Sequence, residues 1–218
     1  MKTYYILMVM NIALFALPVI AGCSRLHHLD RPLRIFLLLL VISFCGESLA
    51  YVAAFRYHMN YPVYNLLSIL EAAVTALYFN YRIRSFQRYH IGFVIAFISI
   101  AVGAINLLYF QPITSMATHY LYYQSVIIIP LSLTSMASVL LPKDDLSRND
   151  ITHFWIAAAM LFFWCISLPV WGFYNYLTSR LGVQKSLVNY FLLTICYITN
   201  LSYTIILFRH PKNKSNVQ

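Results

Sequence analysis

Long apolar runs alternate with short polar stretches along this chain. Seven runs of about 20 residues are long enough to cross a hydrocarbon core of about 30 Å as helices. The strands of a membrane barrel would alternate apolar and polar positions, which these runs do not, so the pattern predicts helices. The runs cover residues 4–23, 33–55, 61–81, 90–110, 117–141, 151–175 and 185–208. We therefore expect an all-α membrane protein, a seven-transmembrane-helix bundle.

Composition agrees with this pattern. Hydrophobic residues make up 61% of the 218 residues and charged residues 10%, with a mean hydropathy of +0.71. Soluble domains carry about 25% charged residues, so this chain lacks the charge to cover a water-exposed surface. The stretches between the runs are too short to fold alone. We expect one seven-helix domain over residues 1–218, ending in a short basic cytoplasmic tail at 209–218.

The basic residues are distributed unevenly between the two predicted sides of the membrane. When successive loops are assigned alternately to the two sides, every Lys and Arg falls on one side except Lys2, Arg56, Arg180 and Lys185. The positive-inside rule then places the amino terminus outside and the carboxy terminus in the cytoplasm. The net charge of +9 therefore indicates topology and contact with anionic lipid headgroups. We expect no binding to nucleic acid.

The first run has a second interpretation. Residues 20–23, Ile-Ala-Gly-Cys, have the pattern of a bacterial lipoprotein cleavage site. Cleavage there would remove the first helix and invert the predicted sidedness of every later loop. Asn11 also interrupts the apolar run. We expect an uncleaved first helix.

A weak internal repeat relates the first three runs to the last three. In each group an opening run with tyrosines and a proline precedes a run with a central cysteine, and the third run opens on an asparagine, Asn65 or Asn189. With the fourth run as a linker, this is a 3+1+3 pseudo-repeat, a plan that some transporters and receptors use.

Two glutamates lie inside the apolar runs. Glu47 and Glu71 are each twelve residues from Met59, which lies in the predicted hairpin between the second and third helices. At about 1.5 Å per residue, antiparallel helices would carry both carboxyls to one depth, near the middle of the membrane. An ionisable group at that depth is costly and indicates function. The alternative is a hydrogen-bond network that only holds helices together.

Further polar residues follow these glutamates at helical spacing. Ser43 and Tyr51 lie one turn from Glu47, and a stripe from Tyr64 to Tyr78 passes through Glu71. Polar groups in the predicted outer half of the other runs complete the set. The candidate ligand-binding residues are Glu47, Glu71, Asn11, Tyr51, Asn65, Ser68, Gln124, Trp171 and Asn189.

The intramembrane polar residues are concentrated between the predicted midplane and the outer surface. The inner half holds mainly serines, threonines and Asn200, and the remaining acidic residues fall in predicted inner loops, namely Asp30, Asp144, Asp145 and Asp150. This asymmetry predicts a polar cavity that opens outward, with the two glutamates near its floor. We expect a small-molecule ligand to reach it from the outer side.

Several chemistries find no support in the sequence. Lys185, the lysine in the last run, lies at its outer end rather than at the depth of a retinal Schiff base. The seven histidines fall in loops or near helix ends, too shallow for haem ligation across the membrane. Neither a metal-binding spacing nor a nucleophile–base set is present, and the four cysteines read as free thiols. We expect no cofactor and no metal.

Three functions are left open. The favoured hypothesis is a receptor or sensor, in which the helices containing Pro130 and Pro169 relay ligand binding to a separate cytoplasmic or membrane partner. The first alternative is a proton-coupled transporter of small molecules, in which Glu47 and Glu71 exchange protons. The second alternative is an intramembrane enzyme that uses the glutamate pair as acid and base.

Overall fold

The computed structural model describes residues 2–140, 148–180 and 184–210, and every regular element within these ranges is helical. A short 3₁₀ turn at Leu26–His28 follows the first helix. The α-helices are α1 (Lys2–Cys23), α2 (Arg31–Tyr57), α3 (Tyr61–Arg82), α4 (Arg84–Tyr89), α5 (Ile91–Ile105), α6 (Thr118–Leu140), α7 (Arg148–Ser179) and α8 (Lys185–Arg209).

Six helical segments are long and apolar enough to cross a membrane: α2, α3, α6, parts of α7 and α8, and α5 with its continuation to Phe110. The apolar part of α1, Val9–Cys23, is shorter than these six. The chain is therefore a helical, multi-pass membrane protein in its architecture. A seventh span and the direction of insertion stay predictions.

Local sequence explains where two of these helices begin and end. Asp30 caps α2, because its Oδ1 accepts a hydrogen bond from the Leu33 backbone N–H at 3.0 Å, and Pro32 occupies the first turn. His58, after α2, and His90, between α4 and α5, adopt left-handed conformations with φ of 54° and 53°. These residues end the preceding helices sharply, a position that more often holds glycine.

The fourth predicted run differs from the observed structure at both ends. Residue 90 is not part of a helix that continues to 110; it separates α5 from α4, a short helix that the apolar pattern did not predict. At the other end, Asn106–Phe110 forms a π-helical turn, in which the Gln111 N–H donates to the Asn106 carbonyl at 2.8 Å. The Asn106 side chain also donates to Gln111 Oε1 at 3.3 Å, which stabilises this wider turn.

Six helices form a closed ring. Going round it, α1 packs on α2, α2 on α3, α3 on α6, α6 on α7, α7 on α8, and α8 on α1. Helix α5 lies outside the ring, packed mainly on α3. Gly92 permits this close approach, since a Cβ at that position would lie 2.5 Å from the Ala76 carbonyl oxygen.

The two ends of the ring differ in character. At one end lie Asp30, Arg82 and His210, with most of the arginines that the structure describes; we call it the basic end. The opposite end holds the α2–α3 turn and the α5–α6 loop, and we call it the hairpin end. Large apolar side chains fill the ring toward the basic end, among them Leu33, Phe36, Tyr78, Phe79, Ile156, Tyr203 and Leu207.

Candidate functional site

Glu47 lies on α2 and joins three helices. Its Oε2 accepts a hydrogen bond from the Asn11 side-chain amide of α1 at 3.2 Å and another from the Tyr64 hydroxyl of α3 at 2.9 Å. Two donors directed at one oxygen can be accepted by an ionised carboxylate or by the carbonyl oxygen of a protonated acid. The contacts of Glu47 therefore hold its carboxyl group in a fixed position inside the ring.

Glu71 lies on α3 and faces α2. The Ser43 hydroxyl is in hydrogen-bond distance of both Glu71 Oε1 and the Leu39 carbonyl. A hydroxyl has one proton to donate, so both contacts are full hydrogen bonds at once only when Glu71 carries a proton and donates it to Ser43. The two glutamates thus have different surroundings, although Glu71 lies within electrostatic range of Glu47.

Helix α8 closes the site on its other side. Cys196 lies within electrostatic range of both glutamates, and Tyr197 lies within range of Glu47. The Asn200 amide donates to Cys196 Sγ at 3.4 Å and so fixes the thiol from one turn away. Groups from helices α1, α2, α3 and α8 therefore lie near the glutamate pair.

Some polar atoms of the site have no hydrogen-bond partner among the residues that the structure describes. The Asn11 side-chain oxygen and the Tyr197 hydroxyl are buried and make no hydrogen bond within the described part of the chain. Both belong to residues next to Glu47. Glu47 and Glu71 are half-buried and so keep some accessible surface. The site offers free hydrogen-bonding capacity beside a carboxylate, which is what a polar ligand requires.

Neither glutamate has a basic partner among the residues that the structure describes. The ion pairs recorded there are Arg82–Asp150, at 2.8 Å, and His153–Asp30, at 3.0 Å, and both lie at the basic end. Within the same residues, no cluster of three or more His, Cys, Asp or Glu side chains is arranged to hold a metal ion. All four cysteines are free.

Asn65, a predicted ligand-binding residue, holds a loop instead. It is 3% exposed, and its side-chain amide donates to the backbone carbonyls of Ile113 at 3.1 Å and Ser115 at 2.8 Å. Its side-chain oxygen accepts from the Ala117 N–H at 3.0 Å. The Ser68 hydroxyl donates to the Asn65 carbonyl at 2.9 Å, within α3. Asn65 and Ser68 therefore make hydrogen bonds with backbone groups at the hairpin end.

The other predicted residues lie around the site rather than on the glutamates. Tyr51 is half-buried one turn beyond Glu47 on α2. Gln124 on α6 is 2% exposed, and its Oε1 makes no hydrogen bond within the described residues. Trp171 packs near Tyr174 on α7, with ring centroids 6.1 Å apart. The side chain of Asn189 lies outside the described part of the chain.

Sequence reasoning left out four residues that contact or adjoin the glutamates. Ser43 and Tyr64 are polar positions on the same helix faces in the sequence, and Cys196 is one of four free thiols, but none was counted as a ligand-binding residue. Tyr197 was not singled out. The spacing signal was present for Ser43 and Tyr64, whereas the position of Cys196 and Tyr197 near the glutamates is set by packing between distant segments.

A second polar cluster lies at the basic end and was also missed. Asp30 Oδ2 lies 3.0 Å from His153 Nε2, and His153 Nδ1 lies 3.1 Å from the Tyr78 hydroxyl. Burial alone would raise the pKa of Asp30, but the hydrogen bond and charge of His153 and the Leu33 N–H together lower this pKa below its ordinary value. The sequence predicted Asp30 in an inner loop and His153 in a loop or near a helix end, and it gave no sign that they meet.

Similarity to known proteins adds no assignment. No family model matches this chain, and no curated protein or solved structure is significantly similar to it.

Proposed function

We propose that this protein is a membrane receptor or sensor that binds a small organic cation between α1, α2, α3 and α8. The observation that supports this most is the surroundings of Glu47. Its carboxylate is held by Asn11 and Tyr64, both neutral, and the described residues provide no basic partner. A ligand that carries positive charge would supply the missing countercharge.

The chemistry of the ligand follows from electrostatics. A carboxylate inside a bundle has lost water, and attraction to an opposite charge is strong where the dielectric is low. A primary or secondary ammonium group also brings N–H donors. The unpaired Asn11 oxygen and Tyr197 hydroxyl could accept these donors beside Glu47. An anionic ligand would meet two carboxyls and no basic side chain of the described chain.

The distribution of apolar side chains favours binding over passage. Toward the basic end the ring is filled by Phe36, Tyr78 and Tyr203. The Phe36 ring contacts both tyrosine rings, with centroids 5.6 Å from Tyr78 and 4.9 Å from Tyr203. A ligand that arrived from the hairpin end would meet this packed layer below the glutamates. In the predicted topology the hairpin end is outside, so the site would sample the external medium and signal through a separate cytoplasmic or membrane partner.

A proton-coupled transporter is the second candidate, and one observation favours it. Tyr203 lies within electrostatic range of both Glu71 and Tyr78, and Tyr78 contacts His153, which contacts Asp30. These titratable groups lead from the glutamates toward the basic end, as in proton relays of membrane carriers. The intramembrane enzyme gains no comparable support from the described site.

Binding is tested on the purified protein in lipid nanodiscs. We expect a panel of small organic ammonium ions to raise the thermal unfolding temperature, and carboxylates of matched size to have no effect. Glu47→Gln should abolish the shift, because it keeps the shape of the side chain and removes its charge. Tyr64→Phe should weaken the shift by about tenfold in apparent affinity, the expected loss of one hydrogen bond to a charged group.

The control is Ser48→Ala on the same helix, where the hydroxyl donates only to the Phe44 carbonyl. It should bind cations like the unchanged protein. Equal stabilisation by anions, or full cation binding by Glu47→Gln, would contradict the proposal. Flux measurements in reconstituted vesicles distinguish the receptor from the transporter. A cation flux that is coupled to protons, and that Glu71→Gln abolishes, would establish the transporter.

A further inference from the structure

At the basic end, buried polar contacts join α7 to its neighbours. Asp30, Tyr78, Arg82, Asp150 and His153 form this cluster, which we call the clasp. His153 bridges Asp30 of the α2 cap and Tyr78 of α3, at 3.0 Å and 3.1 Å. One turn away, Arg82 of α3 pairs with Asp150 of α7 at 2.8 Å. Both contacts lie on the same faces of α3 and α7.

The hydrogen bonds of His153 place a proton on one of its ring nitrogens. The Asp30 carboxylate can only accept, so His153 Nε2 donates to it, and His153 Nδ1 shares a hydrogen bond with the Tyr78 hydroxyl, which can either donate or accept. The side chain of His153 is 2% exposed and Tyr78 is fully buried. Asp30, His153 and Tyr78 therefore form a continuous hydrogen-bonded series, and breaking one of its contacts leaves a buried polar group without its partner.

A second set of hydrogen bonds joins α7 to the end of α8. His210 Nδ1 lies 3.1 Å from the Thr152 hydroxyl, and His210 Nε2 lies 3.3 Å from the His28 carbonyl. Arg25 Nη1 donates to the His210 carbonyl at 3.1 Å. Three neighbouring positions of α7 (150, 152 and 153) therefore make contacts with the α2 cap, α3 and the end of α8. The first turns of α7 are the centre of the cluster.

When the charged groups of the clasp separate, each of them can be solvated. The side chain of Asp30 is 31% exposed, and those of Arg82 and Asp150 are 11% and 14% exposed, so water or headgroups could solvate all three after a small outward movement. The recorded contacts of the glutamates come from α1, α2, α3 and α8. Helix α7 can thus move at the basic end without rebuilding the glutamate site.

We propose that the clasp is a conformational latch: intact, it holds the inner end of α7 against α2 and α3, and once broken it lets that end swing outward. Pairs of polar contacts with two discrete arrangements are the kind of element through which bundles switch state. The latch stands on its own contacts and does not depend on the ligand proposed for Glu47. In this proposal the moving element is α7, and the bundle opens at the basic end.

The test measures the position of α7 directly, without ligand. Spin labels replace Ile151 on α7 and Leu38 on α2, both exposed, in a cysteine-free background in nanodiscs. We expect one distance in the unchanged clasp and a second, longer population in Asp150→Asn and in His153→Phe. Exchanging the charges, with Arg82→Asp and Asp150→Arg together, should restore the single distance.

Hydrogen exchange of the native-cysteine protein provides the second readout. Amides of residues 148–156 should exchange at least about tenfold faster in Asp150→Asn, whereas those of 160–174 keep their protection. Trp155→Phe, at an exposed position on α7, is the control and should leave both unchanged. An unchanged distance in both clasp variants, or equal loss of protection along all helices, would overturn the latch and show a contact that only stabilises the fold.

Discussion

Tyr64 and Asn65 are neighbours in sequence and serve different parts of the molecule. Successive helical residues point about 100° apart, so Tyr64 reaches Glu47 while Asn65 turns toward the α5–α6 loop. The polar stripe predicted from the sequence contains Tyr64 and is flanked by Asn65, but it does not show what either side chain contacts. The division matters for function, because only Tyr64 contacts a glutamate, whereas Asn65 holds the backbone of residues 113–117 in place.

Replacing Asn65 by alanine tests this structural role. The substitution removes three hydrogen bonds and leaves the Ile113 and Ser115 carbonyls and the Ala117 N–H without their partner. We expect a loss of about 2–4 kcal/mol in unfolding free energy, since each stranded buried group costs about 1–3 kcal/mol and water recovers part of this at a loop. Chemical unfolding in detergent measures the loss.

The matched control for Asn65 is Asn60→Ala at the α2–α3 turn, where the side chain makes no capping hydrogen bond. It should change stability by less than about 0.5 kcal/mol, as surface substitutions do. If Asn65→Ala were as mild as this control, the loop would not depend on the amide. Cation binding at Glu47 should persist in Asn65→Ala wherever the protein is folded.

At the scale of elements, α5 depends on α3 for its position. Helix α5 is the most apolar helix of the bundle and lies outside the ring, so its placement rests on a close contact with α3. Gly92 lies over Asn80 and Ala76, and its N–H donates to the Asn80 side-chain oxygen at 3.0 Å. Small residues at such crossings let helix backbones approach closely inside membranes.

Gly92→Ala should therefore separate α5 from α3. The new methyl group would lie 2.3 Å from Asn80 Cβ and 2.5 Å from the Ala76 carbonyl oxygen, and neither of these can rotate away. Overpacking of this kind costs about 1–3 kcal/mol or more, which outweighs the gain of about 1 kcal/mol in helix propensity. We expect a lower unfolding temperature and faster hydrogen exchange in α5.

Gly172→Ala on α7 is the comparison variant. There the new Cβ would lie 3.2 Å from a ring carbon of Tyr122, and a small shift of that half-exposed side chain relieves the contact. The propensity gain should then offset the strain, leaving stability within about 1 kcal/mol of the unchanged protein. Similar losses at both glycines would show that close α3–α5 contact is not what positions α5.

At the scale of the whole molecule, charge is separated along the bundle axis. Arg31, Arg34, Arg84, Arg88 and Arg209 are exposed at the basic end, near the clasp, while the α5–α6 loop at the hairpin end contains no charged residue. Such an asymmetry orients helical membrane proteins with the basic end in the cytoplasm. The glutamate site, beyond the apolar layer, would then face the external half of the membrane.

Reporter fusions test this orientation. A reporter that is active only in the cytoplasm should be active when fused after Gln218, and a reporter inserted at Met59 in the α2–α3 turn should be accessible from outside. Both expectations follow from the uneven arginines and from the alternation of helices. An external signal from the fusion at Gln218 would reverse the orientation and place the glutamate site toward the cytoplasm.

The sequence by itself determined the helical membrane class of this protein, and it predicts one depth for Glu47 and Glu71. Apolar runs of membrane length without strand alternation leave helices as the way to satisfy the backbone, and the helical rise then predicts the common depth. Both results depend on local properties of the chain. They required no knowledge of which helix lies beside which.

The tertiary structure alone decided which polar groups meet. The rotation of each helix follows from packing among segments far apart in sequence, so it brought Asn11, Tyr64, Ser43 and Cys196 to the glutamates and turned Asn65 away. The clasp has the same origin: Asp30 and His153 lie 123 positions apart and meet only because α7 closes the ring. Periodicity shows that a face is polar, and packing decides what that face contacts.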